Sequence, residues 1–323
     1  MPTAVVTPSS FPLSSGEQVG SGYTVTDKTG TSVKLEPSGL VVMSGTLYMA
    51  SDNGYLVSMD VSSNASMDEA WTITHNYTND SGFPTADSHD FESITVASSQ
   101  LMIGVEGRAA NSSTNTPQYN PHIYRLDNTG KPTSSWELTD VTLGSAGGME
   151  AMTLVPKEAC PPSSSPAYYG GSQYYDGYFF AAYQSKTGYV YVYDLPQGSG
   201  TSHTVTSHLK KFELLDANGA QITKEASDMC FADGYLFVLF DGGGSGTDAK
   251  DEIHLFSIRA DGTGLDHAAA TYLPSITGVW TNQTDFEGIA IHGGDMYLAV
   301  DQAGTNGEKL VYRYTDYSIS KFV

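Results

Sequence analysis

Five oxygen-bearing residues stand at the same place in a phrase that the chain repeats: Ser38, Glu92, Glu150, Ser227 and Glu287. Each opens an apolar run, then a turn, then a second apolar run that ends at Asp52, Glu106, Gln184, Asp241 or Asp301. The distance between the two landmarks is 14 residues in four copies and 34 in the third, where a segment rich in Pro, Ser and Tyr intervenes. Brought to one point, three carboxylates and two hydroxyls form a ligand set for a hard cation. Bare carboxylates so placed would repel, and some would have to protonate. A divalent ion removes that cost, and an all-oxygen set of this charge suits Ca2+ before Mg2+. Zinc fits poorly, because no His or Cys falls in the set. His89 and His292 stand merely near the phrases and read as structural.

A second tier of acids surrounds the first. Glu36, Asp90, Glu225 and Asp285 lie two residues before the ring positions, on the same strand face by the period of two. With the residues that end the second runs they would form an acidic rim. If the ion is catalytic, a rim carboxylate such as Asp52 or Asp301 is the candidate general base. The plainer reading is that these acids cap turns and strand ends.

The elements that would position such a ring follow from the spacing. Ring positions recur at intervals of 54, 58, 77 and 60 residues. Each interval divides into four short strands; in the second they are expected at 93–97, 101–105, 122–126 and 135–139. The expected third strands elsewhere are 55–59, 189–193, 253–258 and 310–314, and the fourth strands 71–74, 211–215, 270–273 and 319–322. A fourfold strand unit repeated five times predicts an all-β fold, a five-bladed β-propeller of four-stranded blades around a central channel. A β-sandwich would have no reason to repeat an acid-bearing first strand. Residues 1–32 read as an N-terminal segment, in which 22–26 could supply a closing strand. Residues 33–323 read as one propeller, with a loop insertion at about 156–175 placed as a lid, a contact surface or a packed loop. Trp71, Trp136 and Phe212 occupy equivalent fourth-strand positions and read as blade packing.

Composition narrows the partners. The formal net charge is −21, with only 15 Lys and Arg, so clustered cations for nucleic-acid phosphates are lacking. No run of about 18 apolar residues predicts a membrane span. The first residues lack a basic start and an apolar leader core, which implies a leader already removed or a protein not exported by that route. Sequons at Asn64, Asn76, Asn79, Asn111 and Asn282 fit a secreted glycoprotein. Cys160 and Cys230 are the two cysteines, either bridged or separate thiols.

At the ring residues the chain resembles the calcium-dependent nucleotidases of the soluble apyrase type, whose ring runs Ser, Glu, Glu, Ser, Glu. Ser38, Glu92, Glu150, Ser227 and Glu287 stand in that order. The segment from Glu36 to Asp52 is similar to that family's first blade, and Phe286-Glu-Gly-Ile to its last. The resemblance implies a five-bladed propeller with one Ca2+ in its channel. The Ser-Gly-Leu and Asp-x-Glu-Gly-Ile phrases also resemble phytase-like esterase propellers. The chain departs from the nucleotidases where basic residues would follow the second strands; it has Asp52-Asn53, Gln184 and Asp241 there, with Arg108 and Lys186 as the nearby cations.

The first functional reading is therefore a secreted calcium-binding propeller, an extracellular binding or structural module for a protein, a glycan or a phosphorylated small molecule. The alternative is a calcium-dependent phosphohydrolase, nucleotidase-like or phytase-like. A third is a carbohydrate-active propeller with paired acids, for instance Asp90 and Asp285. No Gly-x-Ser-x-Gly elbow or phosphate-binding P-loop occurs.

Overall fold

A computed structural model describes residues 8–14, 16–19, 24–26, 32–62, 71–78, 90–110, 118–144, 147–171, 174–197, 201–242, 251–273, 285–301 and 311–323. The side chains of Gln18, Thr24, Asp285 and Asp301 lie outside that description, as do His89 and the sequons at Asn64, Asn79, Asn111 and Asn282. The chain is all-β and forms a five-bladed β-propeller. Among the described residues no helix is long and apolar enough to cross a membrane.

Each blade is an antiparallel meander built outward from the axis. The inner strands are Pro37–Met43, Phe91–Ala97, Met149–Pro156, Ala226–Ala232 and Asp285–His292. Their second strands are Thr46–Ser51, Gln100–Val105, Gly177–Tyr183, Tyr235–Phe240 and Asp295–Asp301. The third strands are Tyr55–Asp60, His122–Leu126, Tyr189–Tyr193, Glu252–Ile258 and Val311–Tyr314. Four of the inner hairpins close with two-residue turns in which both residues take positive φ: Ser44-Gly45, Ser98-Ser99, Asp233-Gly234 and Gly293-Gly294. That geometry matches the right-handed twist of the flanking strands.

The third inner hairpin opens instead into the insertion. Met149 pairs with Tyr183 at one end of the hairpin and Pro156 with Gly177 at the other, so residues 157–176 leave from the face opposite Glu150. The insertion therefore cannot cover the ring. Its tyrosines pack: Tyr169 is buried against Tyr178 and Phe212, and Tyr175 against Trp136 and Phe179. Tyr174, by contrast, stays well exposed, at 46%.

The outer strands depart most from the repeat. Thr72–Asn76, Lys210–Glu213 and Leu265–Tyr272 close blades 1, 3 and 4. Blade 2 ends with Pro132–Leu138 and then takes a fifth strand, Ser202–Val205, which pairs parallel to it from within the third repeat. In blade 5 the expected fourth strand at 319–322 is a 3-10 turn, Ile319–Lys321, with Lys321 N–H bonded back to Ser318 O. Packing decides the shape there: Phe322 sets its ring against Phe11, Phe237 and Tyr317. The outer strand of blade 5 comes from the N-terminal segment, as Glu17–Val19 pairs with Val311–Tyr314. The expected closing stretch at 22–26 does otherwise, for Thr24–Thr26 pairs with Ser32–Lys34 in a separate hairpin.

The apolar cores lie between neighbouring blades. Trp71, Trp136 and Phe212 are buried there, each in a different core cluster. Cys160 and Cys230 are free thiols and belong to different clusters, one packed with Tyr169 and the other beside Phe237.

Candidate metal centre

All five inner strands carry the same defect at the same place. The pairing of inner with second strand slips by one residue between Pro37 and Gly39, Phe91 and Ser93, Met149 and Ala151, Ala226 and Asp228, and Phe286 and Gly288. The extra residue in each bulge is Ser38, Glu92, Glu150, Ser227 or Glu287. A bulge leaves its extra residue outside the ladder and re-aims that side chain. The inner strands touch in sequence around the axis, blade 1 to 2, 2 to 3, 3 to 4, 4 to 5 and 5 back to 1. The repeated phrase read from the sequence thus coincides with a repeated backbone device.

The ring side chains feel one another. Burial raises the Glu92 carboxyl well above its ordinary range, and the negative charge of Glu150 adds to the shift. Glu150 is raised likewise, first by burial, then by Glu106 and Glu225, with Glu287 contributing. Ser38 donates its hydroxyl to the carbonyl of Phe91 on the next blade. Ser227 Oγ and one carboxylate oxygen of Glu150 are buried with no hydrogen-bond partner among the described residues. Buried oxygens with unused lone pairs, next to carboxyls pushed toward protonation, fit a hard cation in chemistry and in charge.

The rim is held to the ring by strand register. Backbone N–H groups of Asp52, Glu106, Gln184 and Asp241 donate to the carbonyls of Glu36, Asp90, Gly148 and Glu225. Asp285 pairs with Asp301 in the same register. Blades 1, 2 and 4 therefore present two acids each in register at the mouth, blade 3 presents Gly148 with Gln184, and blade 5 carries Asp285 and Asp301 at the matching register positions. Asp52, Asp90 and Glu92 bring carboxylate oxygens within 4.8 Å of one another, across the seam of blades 1 and 2. Glu106 is pushed up to about 7, first by burial and then by a hydrogen bond with Asp90, against the lowering effect of the Gly148 N–H. Gln184 Nε2 donates to Glu225 Oε1 at 2.6 Å, and burial raises that carboxyl against the pull of the amide.

The sequence reading missed two cations at this face. Lys34 Nζ lies 3.0 Å from Glu36 Oε1. Lys224 Nζ lies 2.8 Å from Glu252 Oε1, beside the His254 ring that bonds the other oxygen at 2.8 Å. Their signal was position: each stands one or two residues before a rim acid. His292 ends its inner strand at the face away from the rim, paired with Asp295.

Comparison with known proteins bears on the same residues. A protein-family model described as "Phytase-like: Esterase-like activity of phytase" matches residues 36–161, less than half of the chain. That stretch includes Ser38, Asp52, Asp90, Glu92, Glu106 and Glu150. No curated protein matches the chain. Among solved structures, a glutaminyl cyclase from Myxococcus xanthus aligns with TM-score 0.49 and 9% identity, over 86% of this chain and 89% of that one. An exo-β-1,3-galactanase from Phanerochaete chrysosporium aligns with TM-score 0.46 and 14% identity, over 93% of this chain and 64% of that one. A β-xylosidase/α-arabinofuranosidase from a compost microbial metagenome aligns with TM-score 0.47 and 11% identity, over 94% and 93%. Likenesses this distant add nothing to the reading of the site.

Proposed function

We propose that this chain is a secreted calcium-binding propeller that hydrolyses phosphoric esters at the acidic mouth of its channel. The observation that carries the reading is the fivefold bulge, which leaves Ser38, Glu92, Glu150, Ser227 and Glu287 outside their ladders, one in each inner strand. These residues would hold one Ca2+. Bound there, the ion would neutralise the carboxylates and offer Lewis acidity to a phosphoryl oxygen. The family match on residues 36–161 supports an esterase, since it falls on the acid-rich half of the mouth.

The chain's own groups have distinct tasks in this reading. Asp52 is the proposed general base, because it stands at the rim within reach of Asp90 and Glu92. Asp301, in register with Asp285, is its counterpart on blade 5. Arg108 and Lys186, each two residues past a rim position, would meet the negative charge of a phosphorylated substrate. A nucleotide is one substrate of this class, in keeping with the resemblance to apyrase-type nucleotidases.

A second reading, a non-catalytic extracellular binding module, is favoured by one observation. Lys34 and Lys224 are already engaged by Glu36 and Glu252, which leaves the mouth strongly acidic. Phosphate release from nucleoside di- and triphosphates, phytate and a chromogenic phosphoester, with Ca2+ and with chelator, separates the two. Calcium-dependent release supports the hydrolase. Silence across the panel, with calcium binding intact, leaves the binding module.

A further inference from the structure

Asp228, one residue past Ser227, is wholly buried. At its register the other inner strands carry Gly39, Ser93, Ala151 and Gly288, the residues that follow each bulge. Space there is short. A Cβ on Gly39 would lie 2.9 Å from Ser93 Cα and 3.0 Å from Ile94 N, and one on Gly288 would lie 3.0 Å from Leu40 Cγ. The position thus faces the backbone of the next blade's inner strand. Blade 4 alone puts a carboxylate in it.

That carboxylate meets three backbone donors. Asp228 Oδ2 accepts the N–H of Ile289 in blade 5 at 2.8 Å and that of Leu40 in blade 1 at 3.5 Å. Oδ1 accepts the N–H of Met229 at 2.8 Å. Inner strands are edge strands, and N–H groups on an edge need partners when buried. Asp228 supplies one to blade 5, where the two ends of the chain pair, and one to blade 1. Both oxygens of Asp228 accept here and together serve all three donors, whereas an amide would turn its NH2 on one of them.

We propose that Asp228 is the positioning residue of the metal ring. By clamping the inner strands of blades 4, 5 and 1 beside their bulges, it sets where Ser227, Glu287 and Ser38 stand around the ion. This rests on the calcium reading above. It gives blade 4's departure from small residues a purpose in binding as well as in folding.

Calcium affinity by calorimetry, and the calcium-induced rise in melting temperature, would be measured for the wild type, Asp228→Ala and Asp228→Asn. The Ala variant is expected to bind calcium about tenfold to a hundredfold more weakly, with a smaller calcium-induced rise. The Asn variant, which keeps one acceptor oxygen, should recover part of both. A residue that serves folding alone would lower the melting curves with and without calcium equally and leave the affinity at the wild-type value; that result overturns the proposal. If Asp228→Ala does not fold, the Asn variant decides, since wild-type affinity in it is equally fatal. Absence of calcium binding by the wild type would remove the calcium reading itself, whereas wild-type binding with unaltered variants removes only the role of Asp228.

Discussion

Glu106 Oε1 on blade 2 accepts the backbone N–H of Gly148 at 2.7 Å, two residues before the bulge at Glu150 on blade 3. The same Glu106 and Glu150 shift each other's carboxyl pKa, Glu106 raising that of Glu150. A rim acid and a ring acid from different blades are thus linked through one short segment.

The first prediction is a pH dependence. Without calcium, Glu106 is raised from 4.5 to about 7. A carboxyl with a raised folded-state value adds stability that is complete below its unfolded value and lost as pH climbs through the folded one. The metal-free protein should therefore lose stability between pH 4.5 and about 7, relative to Glu106→Gln. Stabilisation by calcium should grow over the same window, because the ion needs the carboxylates ionised. Melting temperatures of both proteins at several pH values, with chelator and with calcium, check this. A wild-type disadvantage that shrinks as pH rises would contradict it.

Glu150→Gln should have opposite effects in the two conditions. It removes a buried charge that Glu106, Glu225 and Glu287 all oppose, so the chelated variant should melt no lower than the wild type near pH 8. It also removes a ligand, so its calcium affinity should fall by about tenfold or more and its calcium-induced rise should shrink. Paired melting curves in chelator and calcium read both. A parallel drop in both conditions would place Glu150 in folding alone.

Gly39→Ala should destabilise the ring by about 1–3 kcal/mol through overpacking. The added Cβ would press on the backbone of Ser93 and Ile94, which cannot yield as a flexible side chain would. Chemical denaturation measures the loss. An unchanged midpoint would mean that the inner strands stand further apart than this structure has them.

Asp140 offers a control away from the channel. It accepts the His208 N–H at 2.9 Å, binds His208 Nδ1 at 2.6 Å and takes the buried Tyr193 hydroxyl at 3.1 Å. Asp140→Ala should cost roughly 2–4 kcal/mol by stranding these donors, while calcium affinity stays at the wild-type value. A loss of calcium binding here would mean that the ring answers to global stability rather than to its own ligands.

The repeat was legible because its spacing recurs, and each of its five recurring positions lies at the same place along an inner strand. The bulges were not legible, since a one-residue slip leaves the apolar pattern of Leu40–Met43 or Ile94–Ala97 intact. Outer strands were harder still. Glu17–Val19 is too short to show a pattern, and its partner Val311–Tyr314 is nearly the whole chain away. Ser202–Val205 pairs in parallel with a blade that is not its own, which no local period announces. The segment at 319–322 spaces Ile319 and Phe322 three apart, as a 3-10 turn requires, and the aromatic contacts of Phe322 hold it there. Lys34 was legible by its place two residues before Glu36, whereas Lys224 meets Glu252 only because the fold brings a later strand beside it.

The most direct test of the account is a crystal structure of the protein grown with calcium or its terbium substitute, with anomalous maps to locate the ion. The account predicts an anomalous peak on the propeller axis, coordinated at about 2.3–2.6 Å by oxygens of Ser38, Glu92, Glu150, Ser227 and Glu287. An axis without a peak under saturating metal, or a metal bound only by acids elsewhere, would contradict it.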